Sequence, residues 1–277
     1  MLTLFFFIFG TCIGSFLNVV IYRLPLMVRQ GNAANNDAFN LMVPRSHCLK
    51  CGATLSASQL IPVISWLIQG GRCRRCAHSI SCCYPLLEVI TGLLFAAVFA
   101  CWHSVLPALA LCLFISALLA LAAIDLSHML LPDAITLPLL WCGLLWSTTG
   151  TGLVSAESAI LGAASGYLSL WVTYWCYRLL RKREGMGYGD FKLIAALGAW
   201  LGAESINFIL LLGPLLGCVY WLAFRFKKSS DNFPFGPALI IAGLIWLFLQ
   251  APIMCFIHNN ESLSRIFLFF NSSIPYK

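Results

Sequence analysis

The chain has 277 residues, of which 60% are apolar and only 10% are Asp, Glu, Lys or Arg. Soluble domains average about 25% charged residues, so a water-soluble globule, a secreted domain, a DNA-binding domain and a disordered chain are excluded. The formal net charge of +7 is concentrated in a few loops, which makes it an orientation signal for a membrane protein and implies no nucleic-acid partner. The composition predicts an all-α, polytopic transmembrane bundle in a lipid bilayer.

In chain order, the first apolar run is 2–22. No basic residue precedes it, it has no small-residue cleavage site, and Arg23 follows it directly. It reads as a retained anchor, not a removed signal peptide. Residues 23–84 form the one sizeable aqueous segment. Further apolar runs follow at 85–101, 105–124, 134–150, 155–177, 191–203, 206–224 and 236–252. A span needs about 20 residues, so the pattern predicts about eight spans, with 191–203 the shortest. Basic residues cluster in 23–84, in 178–192 (Arg178, Arg181, Lys182, Arg183, Lys192) and in 225–228 (Arg225, Lys227, Lys228). These three segments are separated by even numbers of spans and share one face. The positive-inside rule makes that face the cytoplasm. The connections near 102–107, 148–157 and 203–207 carry no Lys or Arg, as the outer face requires. The division expected is an anchor at 1–22, a cytoplasmic metal-binding domain at 23–84, a membrane core at 85–252 and an outward tail at 253–277.

Within the aqueous segment stand Cys48-Leu-Lys-Cys51 and Cys73-Arg-Arg-Cys76. Each C-x-x-C lets a tight turn aim two thiolates at one ion, and two such pairs complete a tetrahedron. Gly52 follows one pair and Gly70 and Gly71 precede the other. The alternatives are two disulfides or free thiols, and structural disulfides are rare in the reducing cytoplasm. The expectation is one zinc or similar soft metal held by Cys48, Cys51, Cys73 and Cys76, supplying folding energy to a loop with few apolar anchors. His47 and His78 flank the pairs as substitutes of lower rank.

The ten acidic residues are few enough to weigh singly, and a carboxylate at a span end is a functional candidate by default. Asp125 closes the third span. Asp133 follows in Leu130-Leu131-Pro132-Asp133, where Pro132 suits it to cap a new helix at Ala134. Asp190 ends Gly187-Tyr188-Gly189-Asp190 and opens the sixth span. The topology puts all three at one depth. Two carboxyl groups brought close cannot both ionise. The ionised member then takes a proton from water and the neutral member polarises a carbonyl, which is aspartic-hydrolase chemistry. A buried pair with a cation, Lys192 being the local one, or an ion pathway is the alternative for Asp125 and Asp190. Glu88 and Asn18, at span ends, read as helix-packing hydrogen bonds.

From about residue 10 to about 245 the sequence resembles the type IV prepilin peptidase family, the leader peptidase/N-methyltransferases. The residues that carry this are Gly14-Ser-Phe-Leu-Asn-Val-Val-Ile-Tyr-Arg-Leu-Pro25, both cysteine pairs and Tyr84-Pro-Leu-Leu-Glu88. They continue with Ile124-Asp125 through Leu131-Pro132-Asp133, Gly185-Met-Gly-Tyr-Gly-Asp-Phe-Lys-Leu193, Ala195-Ala-Leu-Gly-Ala-Trp-Leu-Gly202 and Pro234-Phe-Gly-Pro237. Their joint order is specific where each alone is not. The resemblance implies an intramembrane aspartic endopeptidase of the bacterial inner membrane, with Asp125 and Asp190 as its catalytic pair. It implies substrates that are type IV prepilins or type II secretion pseudopilins, cut at the cytoplasmic face. The large cysteine loop implies the bifunctional members, which methylate the new N-terminus with S-adenosylmethionine. Ala77 stands where the family has a Gly and Cys83 where it has an Arg, so a peptidase without methyltransferase activity is the alternative. No Gly-rich nucleotide fingerprint is present, and the sequence assigns no residue to S-adenosylmethionine. An ion-coupled carrier would show an internal repeat and mid-bilayer helix breaks, neither of which is seen. A non-catalytic scaffold would tolerate Asn at both aspartates.

Overall fold

A computed structural model describes residues 1–30, 40–182, 186–224 and 234–259. Eight long helices form, one for each apolar run: α1 Leu2–Gln30, α3 Cys83–Trp102, α4 Val105–His128, α5 Asp133–Thr148, α6 Ala156–Arg181, α7 Tyr188–Leu201, α8 Ala203–Phe224 and α9 Gly236–Asn259. The short α2, Ile64–Ile68, and a 3-10 turn at Ala57–Leu60 lie in the cysteine segment. Among the described residues there is no β-strand, only two isolated bridges. α1, α3, α4 and α8 are each long and apolar enough to cross a membrane on their own. α6 has 26 residues but is less apolar, while α5 has 16.

The exception in length explains the architecture. α7 has 14 residues, about 21 Å at 1.5 Å per residue, short for a bilayer core of about 30 Å. Phe191 and every residue from Leu193 to Leu201 are buried. The helix is apolar all round because it is enclosed by α5, α6, α8 and α9. A helix shielded by protein need not match the lipid thickness. Its close approach to α6 depends on small residues. A Cβ on Gly162 would stand 2.6 Å from the Gly198 carbonyl oxygen, so only Gly permits the contact. Trp200 fills the α5 side, with its indole N–H donating to the Leu139 carbonyl at 2.8 Å.

α1 and α3 pack equally tightly, a Cβ on Gly14 meeting the Glu88 backbone at 2.7 Å. Asn18 of α1 donates to the Tyr84 carbonyl at 3.2 Å, the helix-packing bond expected of it. α1 continues past Tyr22, through Pro25, to Gln30. Its Arg23 is 5% exposed and its guanidinium donates to the carbonyls of Asn40, Leu41 and Pro44. Here a charge at a span end is satisfied by backbone, as burial demands.

Short connections make consecutive helices antiparallel, and this fixes which ends share a face. α3 leaves the cysteine segment at Cys83 and α4 returns to that face at His128. α5 leaves and α6 returns; α7 leaves and α8 returns; α9 leaves again from Gly236. The cysteine segment, Asp125, Asp133, Asp190 and Gly236 therefore all lie at one end of the bundle. Arg178 and Arg181, at the end of α6, lie there too. α9 reaches Asn259. The rest of the expected tail, 260–277, lies outside the described residues, as do Arg183 and the basic residues of 225–228.

Candidate active site

Asp125 sits in the last turn of α4, where Met129 in the left-handed region ends the helix. Asp190 sits in the first turn of α7, after a β-region Gly187. The two come from helices 65 positions apart, yet their carboxylates are near enough to interact electrostatically. They are 6% and 8% exposed. The Gly236 backbone N–H, at the start of α9, donates to Asp125 Oδ2 at 3.0 Å. A Cβ on Gly236 would lie 2.7 Å from that same oxygen, so a side chain cannot replace this hydrogen. Leu131 walls the pair, lying 2.8 Å from where a Cβ on Gly189 would stand. Pro234 and Gly236 are buried. The Pro234-Phe-Gly-Pro237 stretch thus has a local task that sequence reading missed: it starts α9 on a carboxylate. The signal available was a Gly between two prolines, which marks a constrained turn without saying what it faces.

Asp133 corrects two expectations. It does not cap α5: Pro132 occupies the N-cap, Asp133 is the first helical residue, and no side-chain capping bond forms. Its carboxylate accepts two hydrogen bonds from the Lys192 ammonium, at 2.7 and 2.8 Å. Lys192, the local cation in the alternative reading of Asp125 and Asp190, is turned away from Asp190 because residues two apart on a helix do not face each other. Asp133 is 57% exposed and stands outside the buried pair. Glu88 does more than expected. It meets the Ser15 side chain of α1, the helix-packing contact anticipated, and its Oε2 also accepts the Val63 N–H at 2.7 Å, tying the cysteine segment to α3.

The second site lies in the cysteine segment. Each C-x-x-C forms the same small turn. Cys48 donates its N–H to the Ala53 carbonyl and accepts the Gly52 N–H; Cys73 does the same with His78 and Ala77, all at 2.9 Å. The bridges His47–Thr54 and Arg72–Ser79 close the two turns. Gly52 has φ +68° and Ala77, its counterpart, +55°. The residue after each pair must adopt the left-handed region, and Ala pays steric strain there that Gly avoids.

The four sulfurs of Cys48, Cys51, Cys73 and Cys76 lie within 4.8 Å of one another. Cys48 and Cys76 sulfurs are 3.8 Å apart. A tetrahedron with metal–sulfur bonds of about 2.3 Å has sulfur–sulfur edges of about 3.8 Å, so the cluster can hold a soft metal ion. The backbone N–H groups of Cys51 and Lys50 hold the Cys48 thiol down to about 6. Those of Cys76 and Arg75 lower Cys73. The His78 N–H lowers Cys76, but desolvation and the neighbouring thiols outweigh it and push that thiol up to about 11. The turns thus prepare some sulfurs as thiolates and leave the remainder to be deprotonated by a cation. His47 and His78 are not members of the cluster.

Fold and sites together define a class: a polytopic helical membrane protein with a buried carboxylate pair and, on one face, a four-cysteine loop that can hold a metal ion. Comparison with known proteins gives the family. Residues 8–102 match the bacterial peptidase A24 N-terminal domain, and residues 112–222 match the type IV leader peptidase family. The chain is 46% identical over 258 residues to a prepilin leader peptidase/N-methyltransferase of Aeromonas salmonicida, covering 87% of this chain and 88% of that one. It is 47% identical over 257 residues to that of Aeromonas hydrophila, with the same coverage. With that of Pectobacterium carotovorum it shares 43% over 259 residues, 88% of this chain and 91% of the relative. No solved structure matches. The chain belongs to the type IV leader peptidase family.

Proposed function

We propose that this inner-membrane protein removes the leader of type IV prepilins or type II secretion pseudopilins with Asp125 and Asp190 as its catalytic dyad, and then N-methylates the exposed N-terminus. The observation that carries the dyad is its geometry: two buried carboxylates from separate helices interact, and the nearby Lys192 pairs elsewhere. Burial of two acids without such a cation is unfavourable for stability and is expected where chemistry requires it.

The hydrolysis follows from these groups. The ionised carboxylate accepts a proton from water as the water oxygen bonds to the scissile carbonyl carbon. The protonated carboxyl donates its hydrogen to the carbonyl oxygen. Collapse breaks the carbon–nitrogen bond: the leaving amine takes the proton held by the first carboxylate, and one hydroxyl proton of the diol returns to the second carboxylate as the carbonyl re-forms. The Gly236 N–H fixes Asp125 Oδ2 throughout. Both aspartates lie at the loop face of the bundle, which the basic residues of that face assign to the cytoplasm. A prepilin with a basic leader and an apolar segment presents its scissile bond at the same interface. The segment must be extended there, because helical carbonyls are already paired.

Zinc is the metal we assign to Cys48, Cys51, Cys73 and Cys76, since four thiolates in a closed tetrahedron suit it. Its role is to fold the loop. S-adenosylmethionine, when bound, supplies an electrophilic methyl group that moves from sulfur to the new amine, the sulfur keeping the bonding pair and the amine's surplus proton going to solvent.

The test is mass spectrometry of a prepilin incubated in detergent or lipid with the wild type, Asp125→Asn and Asp190→Asn, with S-adenosylmethionine present. A leader-sized mass loss is expected from the wild type, followed by the mass of one methyl group. Each Asn variant is expected to lose about 10²–10⁴-fold in cleavage rate. Cleavage at wild-type rate by both variants overturns the dyad. Cleavage without the methyl gain reduces the function to a peptidase.

A further inference from the structure

We infer that the cavity between the cysteine loop and the loop-face ends of α1 and α3 is the S-adenosylmethionine site; this rests on the methyltransferase half of the function proposed above. The cavity measures about 430 Å³, inside the range of about 300–1,000 Å³ typical of small-molecule sites. Its lining mixes aromatic and polar groups, among them Ser15 and Asn18 of α1, Trp66 of α2, and Tyr84 and Glu88 of α3.

That mixture matches the methyl donor's parts. A planar base needs an aromatic face, and a sulfonium cation is attracted to the faces of Trp and Tyr and to a carboxylate. Ribose hydroxyls need acceptors. Glu88 is 8% exposed; its carboxylate accepts the Val63 N–H and meets the Ser15 side chain of α1. A carboxylate offers about four acceptor positions, so it retains capacity for a ligand. The Asn18 amide nitrogen donates to the Tyr84 carbonyl, which fixes the orientation of the amide. Trp66 is held by its N–H to the Ile80 carbonyl at 3.2 Å, and a Cβ on Gly71 would touch its ring at 2.9 Å. The walls are therefore preformed.

Two more observations favour a ligand here. Val63 has φ +60°, a conformation that a β-branched residue adopts only under constraint, and its N–H is bonded to Glu88 at the edge of the cavity. Strain of this kind concentrates at ligand sites. The absent Gly-rich fingerprint also agrees, because that motif cradles phosphates and S-adenosylmethionine has none. Location completes the case: Glu88 and the dyad lie at the same end of the bundle, where cleavage exposes the new amine.

The test uses the full-length protein in detergent and reads binding directly. Calorimetric titration with S-adenosylmethionine and S-adenosylhomocysteine is run on the wild type, Glu88→Gln and Val19→Trp, after each shows wild-type-like helical circular dichroism. Val19 lines the same cavity, and an indole there fills it. Ultraviolet crosslinking of labelled S-adenosylmethionine maps the contact by peptide mass. One site is expected in the wild type, with affinity at least about tenfold weaker in Glu88→Gln, as loss of a charge-assisted bond predicts. No binding is expected in Val19→Trp, and label is expected within 15–23, 46–55 or 59–88. Wild-type affinity in both variants, or label confined elsewhere, overturns this site while leaving the function standing. A wild type that cleaves prepilin but binds neither compound overturns the site and the methyltransferase reading together.

Discussion

The two functional regions of this molecule are held by opposite means. Around the aspartates, α7 is enclosed on every side, and the apolar shell that includes Phe191, Leu193, Leu197 and Trp200 is nearly inaccessible. In the cysteine segment Leu49, Leu60, Leu67 and Ile68 are exposed, and Cys73 is the only cysteine of its cluster that is buried. One region positions costly charges by packing. The other lacks the apolar area to order itself and gathers four cysteine sulfurs that can close it around a metal ion. The lesson is that the dyad should be insensitive to metal and sensitive to a misplaced methyl group, with the loop showing the reverse.

Metal removal is the largest way to break that contrast. Structural zinc supplies about 10–16 kcal/mol to small metal-folded units. A strong chelator is therefore expected to open residues 45–81 to protease and abolish methylation, with the helical signal of the bundle retained. Acid acts in the same direction. The Cys48 thiol is held low, at about 6, so its thiolate persists above that pH and is lost below it. Protons compete with the metal for sulfur, and metal content is expected to fall as the pH is lowered into the acid range. Elemental analysis across a pH series checks this; a metal-free protein with an intact, protease-resistant loop would sink the idea.

Gly236→Ala probes the other side of the contrast. Its Cβ meets Asp125 Oδ2 at 2.7 Å and must displace either the carboxylate or the start of α9. A misplacement near 1 Å lowers rate by about 10²-fold, so cleavage is expected to drop by that order with metal content unchanged. Ala77→Gly is smaller and opposite in sign. Relief of left-handed strain is worth about 1–2 kcal/mol, offset by about 0.5–1 kcal/mol of chain entropy. The loop is expected to resist chelator-induced proteolysis longer. Asp133→Asn removes one exposed ion pair, worth about 0–1 kcal/mol, and is expected to leave cleavage within a few-fold of wild type. A large loss in this last variant would return Asp133 to the reacting groups.

Much of this was legible in the sequence, because the bilayer forces simple patterns. Every apolar run became one helix, since backbone groups in lipid must pair within their own segment. The cysteine spacing located the cluster, because a C-x-x-C turn fixes the direction of its sulfurs locally. The scarcity of acids singled out Asp125 and Asp190, because each charge in an apolar setting needs a reason. Their meeting was an expectation from depth alone, and depth does not say which helices are neighbours.

Tertiary structure decided the remainder, wherever one segment acts on another remote in sequence. It gave Lys192 to Asp133, because side-chain direction around α7 separates residues two apart. It set the Gly236 N–H on Asp125 across 111 positions, a backbone contact that no side-chain pattern announces. It turned Glu88 toward Val63 and opened beside it a cavity whose walls come from α1, α2 and α3. Local chemistry and span length are written along the chain, whereas partners and cavities arise only when the helices pack.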